Sequence, residues 1–176
     1  PSQQGGSRSG STAAASRKPF RRFVSPGGFE VLVGRSNREN DELSLRVASP
    51  GDVWLHARGV PGSHAVLRVP SSAPSASPSS SSSPASSEGL PPAEDLEFAA
   101  ALAAFFSKAR DGGKVAVTFT RARNVRKPRG APAGLVTLMS EKVVSVRPDS
   151  VASVVAAAAS GGASEVSGSE SEGEVA

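Results

Sequence analysis

Cysteine is absent from this chain, and methionine and tryptophan occur once each. Without cysteine there is no disulfide framework, no thiolate metal site and no cysteine nucleophile. That composition fits a reducing compartment. Histidine occurs twice, as His56 and His64, and two histidines without a well-placed third ligand make a poor zinc site. No apolar run approaches the roughly 18 residues needed to cross a bilayer as a helix. Apolar residues make up 38% of the chain, against about 45–50% with glycine counted in ordinary globular domains. Part of the chain is therefore expected to lie outside any packed core.

Low-complexity composition marks three such parts. Residues 1–19 are rich in Ser, Gly, Ala and Arg and contain no acid. They read as a disordered interdomain linker or an organelle transit-like segment, which leaves cytoplasm and plastid both open. Residues 70–92, "PSSAPSASPSSSSSPASSEGLPP", are dominated by Ser and Pro and read as a flexible surface insertion. Residues 150–176 begin with an alanine-rich stretch suited to a short helix. They continue into "SEVSGSESEGEVA", whose serines beside glutamates suit acidophilic kinases.

Charge follows the same division. The tail's only charged residues are Glu165, Glu170, Glu172 and Glu174, whereas residues 17–149 hold 19 cations and 12 acids. The body is thus more basic than the whole chain's net +4 suggests, and a basic body favours an anionic partner.

Two apolar blocks, 20–69 and 93–149, complete one expected domain at 20–149. In the first, "FEVLVG", "LSLRV", "VWLHA" and "HAVLRV" alternate with period two, the mark of half-buried strands. The pattern puts Val31 with Val33, and Leu43 with Leu45 and Val47, on common faces. "AEDLEFAAALAAFFSKA" predicts a helix: it is rich in strong helix formers, with acids in its first turn and cations near its end. "KVAVTFT", "GLVTLM" and "KVVSVRP" predict further strands. Strands, one helix, then strands argue for an α+β fold, with the helix laid on one face of a mainly antiparallel sheet.

Three polar clusters carry the candidate chemistry. The first, "GRSNRENDE" from Gly34 to Glu42, reads as a hairpin loop. Its Arg35, Arg38, Asn37 and Asn40 are suited to phosphate and base edges, and Glu39, Asp41 and Glu42 could orient the arginines. The second, "GDVWLHARGVPGSH", contains Asp52, Trp54, His56, Arg58, Pro61, Gly62, Ser63 and His64. Neighbouring Ser63 and His64 cannot form a catalytic pair in a strand, because their side chains point to opposite faces. Two readings of Trp54 stay open. It is a core residue, with Asp52 capping a turn, or it shares a face with His56 and Arg58 and stacks on a base. Pro61 and Gly62 suit a tight type II turn. The third, "RARNVRKPRGAPAG", holds Arg121, Arg123, Arg126, Lys127 and Arg129 with no acid. Pro128 and Pro132 stiffen it, and Gly130 and Gly134 allow close backbone approach. Cations so placed suit a sugar-phosphate chain.

The order "GRSNRENDELS", "DVWLHARGVPGSH", "VRKPRG" resembles the NFACT-R domain, the RNA-binding domain of NFACT ribosome quality control factors. The resemblance covers nearly all of 20–149 outside the insertion. It departs from the family's usual residues at Ser36, Glu39, Val117–Thr120 and Gly130–Gly134. It implies binding to tRNA and to rRNA of the large ribosomal subunit in rescue of stalled translation, beside other nascent-chain quality control factors. On the residues, no enzyme activity, metal, cofactor or membrane is expected for this chain. Two alternatives remain: a ribosome-associated RNA binder with no quality control role, and a protein-interaction adaptor using the acidic tail and serine-rich insertion.

Overall fold

The computed structural model describes residues 20–70 and 89–160. The expectations for 1–19, for most of the serine-rich insertion and for the glutamate-rich end of the tail lie outside the described residues. The fold is α+β. A six-stranded antiparallel sheet is built from β1 (Arg21–Val24), β2 (Glu30–Val33), β3 (Val53–Ala57), β4 (Ala65–Leu67), β5 (Val115–Arg121) and a last strand (Lys142–Val146). Between β5 and that last strand lies a separate two-stranded ribbon, β6 (Val125–Arg126) and β7 (Thr137–Leu138), so the last strand is β8. The sheet order is β1-β2-β4-β3-β5-β8.

Alternation along the central strands β2, β3 and β4 sorts their side chains between two cores. Val31, Val33, Val53, Leu55, Ala65, Leu67, Val117 and Val146 face the main core. The long helix α2 (Ala93–Phe105) fills that core, with Ala99 to Ala104 all buried. Alanines let the helix axis approach the sheet closely. A helix apolar on every side must be covered on every side, and the 3₁₀ turn Pro148–Val151 and α3 (Ala152–Ala159) cover its far side through Val151 and Val155. The packed unit thus runs past the expected boundary at 149.

The opposite sheet face has its own core of Phe20, Leu32, Leu43, Trp54, Val66 and Val125. Its cover corrects two readings of the sequence. Gly34–Glu42 is not a hairpin loop: residues Asn37–Glu42 form α1. Ser36 Oγ accepts the Glu39 N–H at 3.2 Å, and the Glu39 carboxylate accepts the Arg35 N–H at 2.8 Å, a reciprocal arrangement close to a capping box. "LSLRV" is not a strand: Leu43–Val47 continues α1 as a π-helical turn, with the Ala48 N–H donating to the Leu43 carbonyl. Leu43 and Val47 are four apart, so they share a helical face as readily as a strand face, while Leu45 is left 40% exposed. "GLVTLM" contributes only two strand residues, and those pair with β6 outside the main sheet.

One long-range contact fixes the start of α2. Buried Asp95 accepts the Gly27 N–H at 2.7 Å, and a Cβ on Gly27 would lie 2.5 Å from the same carboxylate. Gly27→Ala is expected to destabilise the fold by about 1–3 kcal/mol, the usual cost of overpacking. Gly51→Ala, where an added Cβ meets nothing within 4 Å, should be nearly neutral. Urea denaturation of the two variants checks this, and equal midpoints would contradict it.

Candidate nucleic-acid interface

Parts of all three polar clusters meet on the sheet face opposite α2. Asp41 of α1 is the junction. Its carboxylate accepts from Lys127 Nζ at 2.9 and 3.1 Å and from the Gly134 N–H at 3.0 Å. Lys127 Nζ also donates to the Pro132 carbonyl. The loop "KPRGAPAG" is thereby closed at both ends onto α1. Gly130 and Gly134 have φ of 74° and 85°, which only glycine adopts cheaply. A Cβ on Gly134 would also press on Asn37 at 3.0 Å.

The second cluster supplies the floor. His64 precedes β4 and is buried with Trp54. Trp54 Nε1–H donates to Ser44 Oγ at 2.9 Å, and Ser44 Oγ lies 2.8 Å from His64 Nδ1. The chain is complete when the Ser44 hydroxyl donates to Nδ1, which requires a neutral imidazole protonated at Nε2. Electrostatics agrees. Burial, then the neighbouring His56, push the His64 pKa down to about 4, against the opposing pull of the Asn40 and Gly134 backbones and Asp41. Burial also lowers the pKa of His56, partly offset by the Gly62 backbone. The two imidazoles stand edge to face at 5.2 Å.

Several residues singled out in the sequence prove to hold the site together. Asn40 is buried: its Oδ1 accepts the His64 N–H at 3.0 Å and its Nδ2 donates to the Gly62 carbonyl at 3.3 Å. Gly34 packs so tightly on the Asn40 side chain that no Cβ fits there. Asp52 is buried and caps the turn before β3. It accepts the Ser49 and Val69 N–H groups, each at 2.8 Å, with Arg68 at 3.5 Å. Trp54 is 3% exposed, so the core reading of it stands and it is no open stacking platform. Lys127 is tied to Asp41 rather than turned out to solvent. Gly62 lacks the positive φ of a type II turn. Its constraint is contact, since a Cβ would lie 2.7 Å from Ser107 Cβ. Ser63 donates its N–H to the Phe106 carbonyl. The acids of the first cluster do not orient its arginines by ion pairs: Asp41 takes Lys127, and Glu39 caps α1.

What remains open is an 830 Å³ groove between β3–β5 and the ribbon. Half-buried His56 and buried Thr118 lie on its sheet side, and Pro132, Leu135 and Leu138 form the facing wall. Arg58, 3.7 Å from Glu141, stands at one end. Arg35, Arg38, Arg126 and Arg129 are exposed on the elements that cover this face, as is Gly130, while Pro128 is half-buried. Arg121 donates to the Gly51 carbonyl. With Arg123 it lines two adjoining hollows, one shared with Arg68 and the other with Asn124 and Lys142. Ser44, Thr118 and the wall residues Leu135 and Leu138 were not singled out as site residues in the sequence. Among the described residues no group of three His, Cys, Asp or Glu side chains could hold a metal ion.

Comparison with known proteins gives the same placement. Residues 19–140 match the family described as the NFACT protein RNA binding domain. The chain is 40% identical over 127 residues to the Rqc2 homolog RqcH of Bacillus subtilis, covering 72% of this chain and 19% of that protein. It is 35% identical over 133 residues to the RqcH of Streptococcus suis, covering 75% and 21%. The chain therefore spans about a fifth of the length of these relatives. A solved structure, the C-terminal of the fibronectin/fibrinogen-binding protein from Streptococcus suis, superposes with a TM-score of 0.61 at 34% identity, covering 75% of this chain and 46% of that one. The matched segment contains all three clusters and the groove they build, and the chain belongs to the NFACT RNA-binding-domain family.

Proposed function

We propose that this chain binds tRNA and rRNA of the large ribosomal subunit during rescue of stalled translation, and that it binds rather than catalyses. The observation that carries this reading is the Asp41 clamp. It takes Lys127 and the Gly134 N–H inward and leaves Arg126 and Arg129 of the same loop exposed. Guanidinium forks held on a fixed, proline-stiffened loop can meet a sugar-phosphate backbone with little ordering cost. The apolar groove beside them suits the flat face of a base more than an extended phosphate run. His56 and His64, depressed in pKa and turned to each other, serve as neutral walls of the groove.

Affinity for tRNA and for isolated large subunits should fall steeply with salt. Each lost phosphate contact should lower the slope of log affinity against log salt by about 0.7. Arg126→Gln with Arg129→Gln is expected to weaken tRNA binding by about tenfold and to flatten that slope, with the urea midpoint unchanged. Fluorescence anisotropy from 50 to 300 mM salt, an experimental range of about the width over which counterion release is readily seen, is the measurement. Binding that is unmeasurable even at the lowest salt, or a double variant with wild-type affinity and slope, would remove this reading.

A further inference from the structure

A second hollow, of about 440 Å³, lies away from the groove, between β1, the residue after α2 and the last turn of α3. Phe106, Val155, Ala158 and Ala159 give it apolar walls, and Arg21, Arg22 and Arg35 line its edge. The Arg21 guanidinium sits over the Phe106 ring at 4.4 Å and donates to the Gly34 carbonyl at 3.3 Å. Arg22 pairs with Glu30. Arg35 uses its backbone N–H for the α1 cap and leaves its side chain exposed. The cationic edge is crowded: burial first, then Arg35, lower the Arg21 pKa, with only Glu39 pulling the other way. An apolar floor beside crowded arginines fits an acidic peptide with an apolar side chain.

We propose that the occupant is this chain's own acidic segment, with Val166 on the apolar floor and Glu165 and Glu170 against Arg35 and Arg22. Three observations select it. Ala159 is both a wall of the hollow and the last residue of α3, so the segment starts where the hollow is. Glu165 follows six residues later, a reach of up to roughly 20 Å at about 3.3 Å per residue. Residues 161–176 carry four glutamates and no cation, which matches the edge in sign. The N-terminal segment joins the same hollow at Phe20 but carries Arg8, Arg17 and Lys18 and no acid, so like charge opposes it. The serine-rich insertion offers a single acid, Glu88.

Docking here needs no RNA. Its consequence for RNA is competition, because Arg35 belongs both to this hollow and to the cationic end of α1. Phosphate on Ser167, Ser169 or Ser171 would add about −1.5 to −2 charge each and strengthen the docked state.

The absence of cysteine makes the test direct. In the full chain, Ser169→Cys creates a unique thiol for a nitroxide label. Amides of Arg22, Arg35 and Phe106 should then broaden selectively at low salt, while amides of β8 stay sharp. Changing Glu165, Glu170, Glu172 and Glu174 to Gln, or Val166→Ser, should reduce the broadening several-fold. Broadening spread evenly over the surface, or unchanged in the glutamine variant, would overturn the proposal. So would broadening confined to an isotope-labelled copy mixed with a spin-labelled one, since the occupant would then come from a second molecule. The readout contains no RNA, so failure of tRNA binding and failure of docking are separate results.

Discussion

Lowering the pH from 7 to 4 should cost the fold about 3 kcal/mol through His64 alone. The folded-state pKa of this imidazole is about 4, below its ordinary 6.5. Between those values the unfolded chain holds a proton that the folded chain does not. The stabilisation from a neutral His64 is therefore fully present above pH 6.5 and is lost as the pH falls through the window down to about 4. A difference of about 2.5 units corresponds to roughly 3 kcal/mol at about 1.4 kcal/mol per unit. The cause is burial first and then the neighbouring His56; a proton on Nδ1 would also end the hydrogen bond in which the Ser44 hydroxyl donates to that nitrogen. His56 adds in the same direction, since its pKa is also lowered. Proton NMR titration resolves the two imidazoles. A His64 midpoint near 6.5, or urea midpoints that stay level from pH 7 to 4, would contradict the neutral Trp54–Ser44–His64 chain.

The sheet was legible in the sequence because period-two alternation acts strand by strand. Val31 with Val33, Val53 with Leu55, and Val117 with Phe119 all reach the main core as their spacing demands. The long helix was legible from its alanines and leucine, and its second half, residues 99–104, is buried on every side. Two kinds of signal misled. Leu43 and Val47 satisfy both a strand and a helix, and the cap residues decide between them. Ser36 and Glu39, three apart before an apolar run, carried that cap signal and outweigh the alternation that follows. The ribbon β6–β7 has two residues per strand, too few for any periodicity to register.

The site was legible in its parts and not in its division of labour. Sequence order gave three clusters of the right chemistry, and residue type gave no way to tell Lys127 from Arg129. One is tied to Asp41 and the other is exposed, because Asp41, 86 residues earlier in the chain, reaches only the first. Partners distant in sequence decide which polar groups are committed to the fold. Trp54 shows the same rule. Its face was read correctly, beside His56 with ring centroids 6.0 Å apart, but α1 and the π turn close over it.

Asn40→Ala should cost about 3 kcal/mol of stability, whereas Arg38→Ala on the same helix should change it by less than about 0.5 kcal/mol. Asn40 is 3% exposed and satisfies the buried His64 N–H and the Gly62 carbonyl at once. Alanine leaves both without a partner, at about 1–3 kcal/mol for each stranded group, and opens space beneath Gly34. Asn40→Asp separates the two bonds: a carboxylate still accepts from His64 but presents an acceptor to the Gly62 carbonyl. Its loss should equal or exceed that of alanine. RNA affinity would fall with these variants only as far as the folded fraction falls. A direct base contact by Asn40, the role its residue type suggests, predicts the reverse: affinity lost at an unchanged urea midpoint. Paired urea denaturation and tRNA binding of Asn40→Ala and Arg38→Ala therefore distinguish an asparagine that holds three segments of the fold together from one that reads RNA.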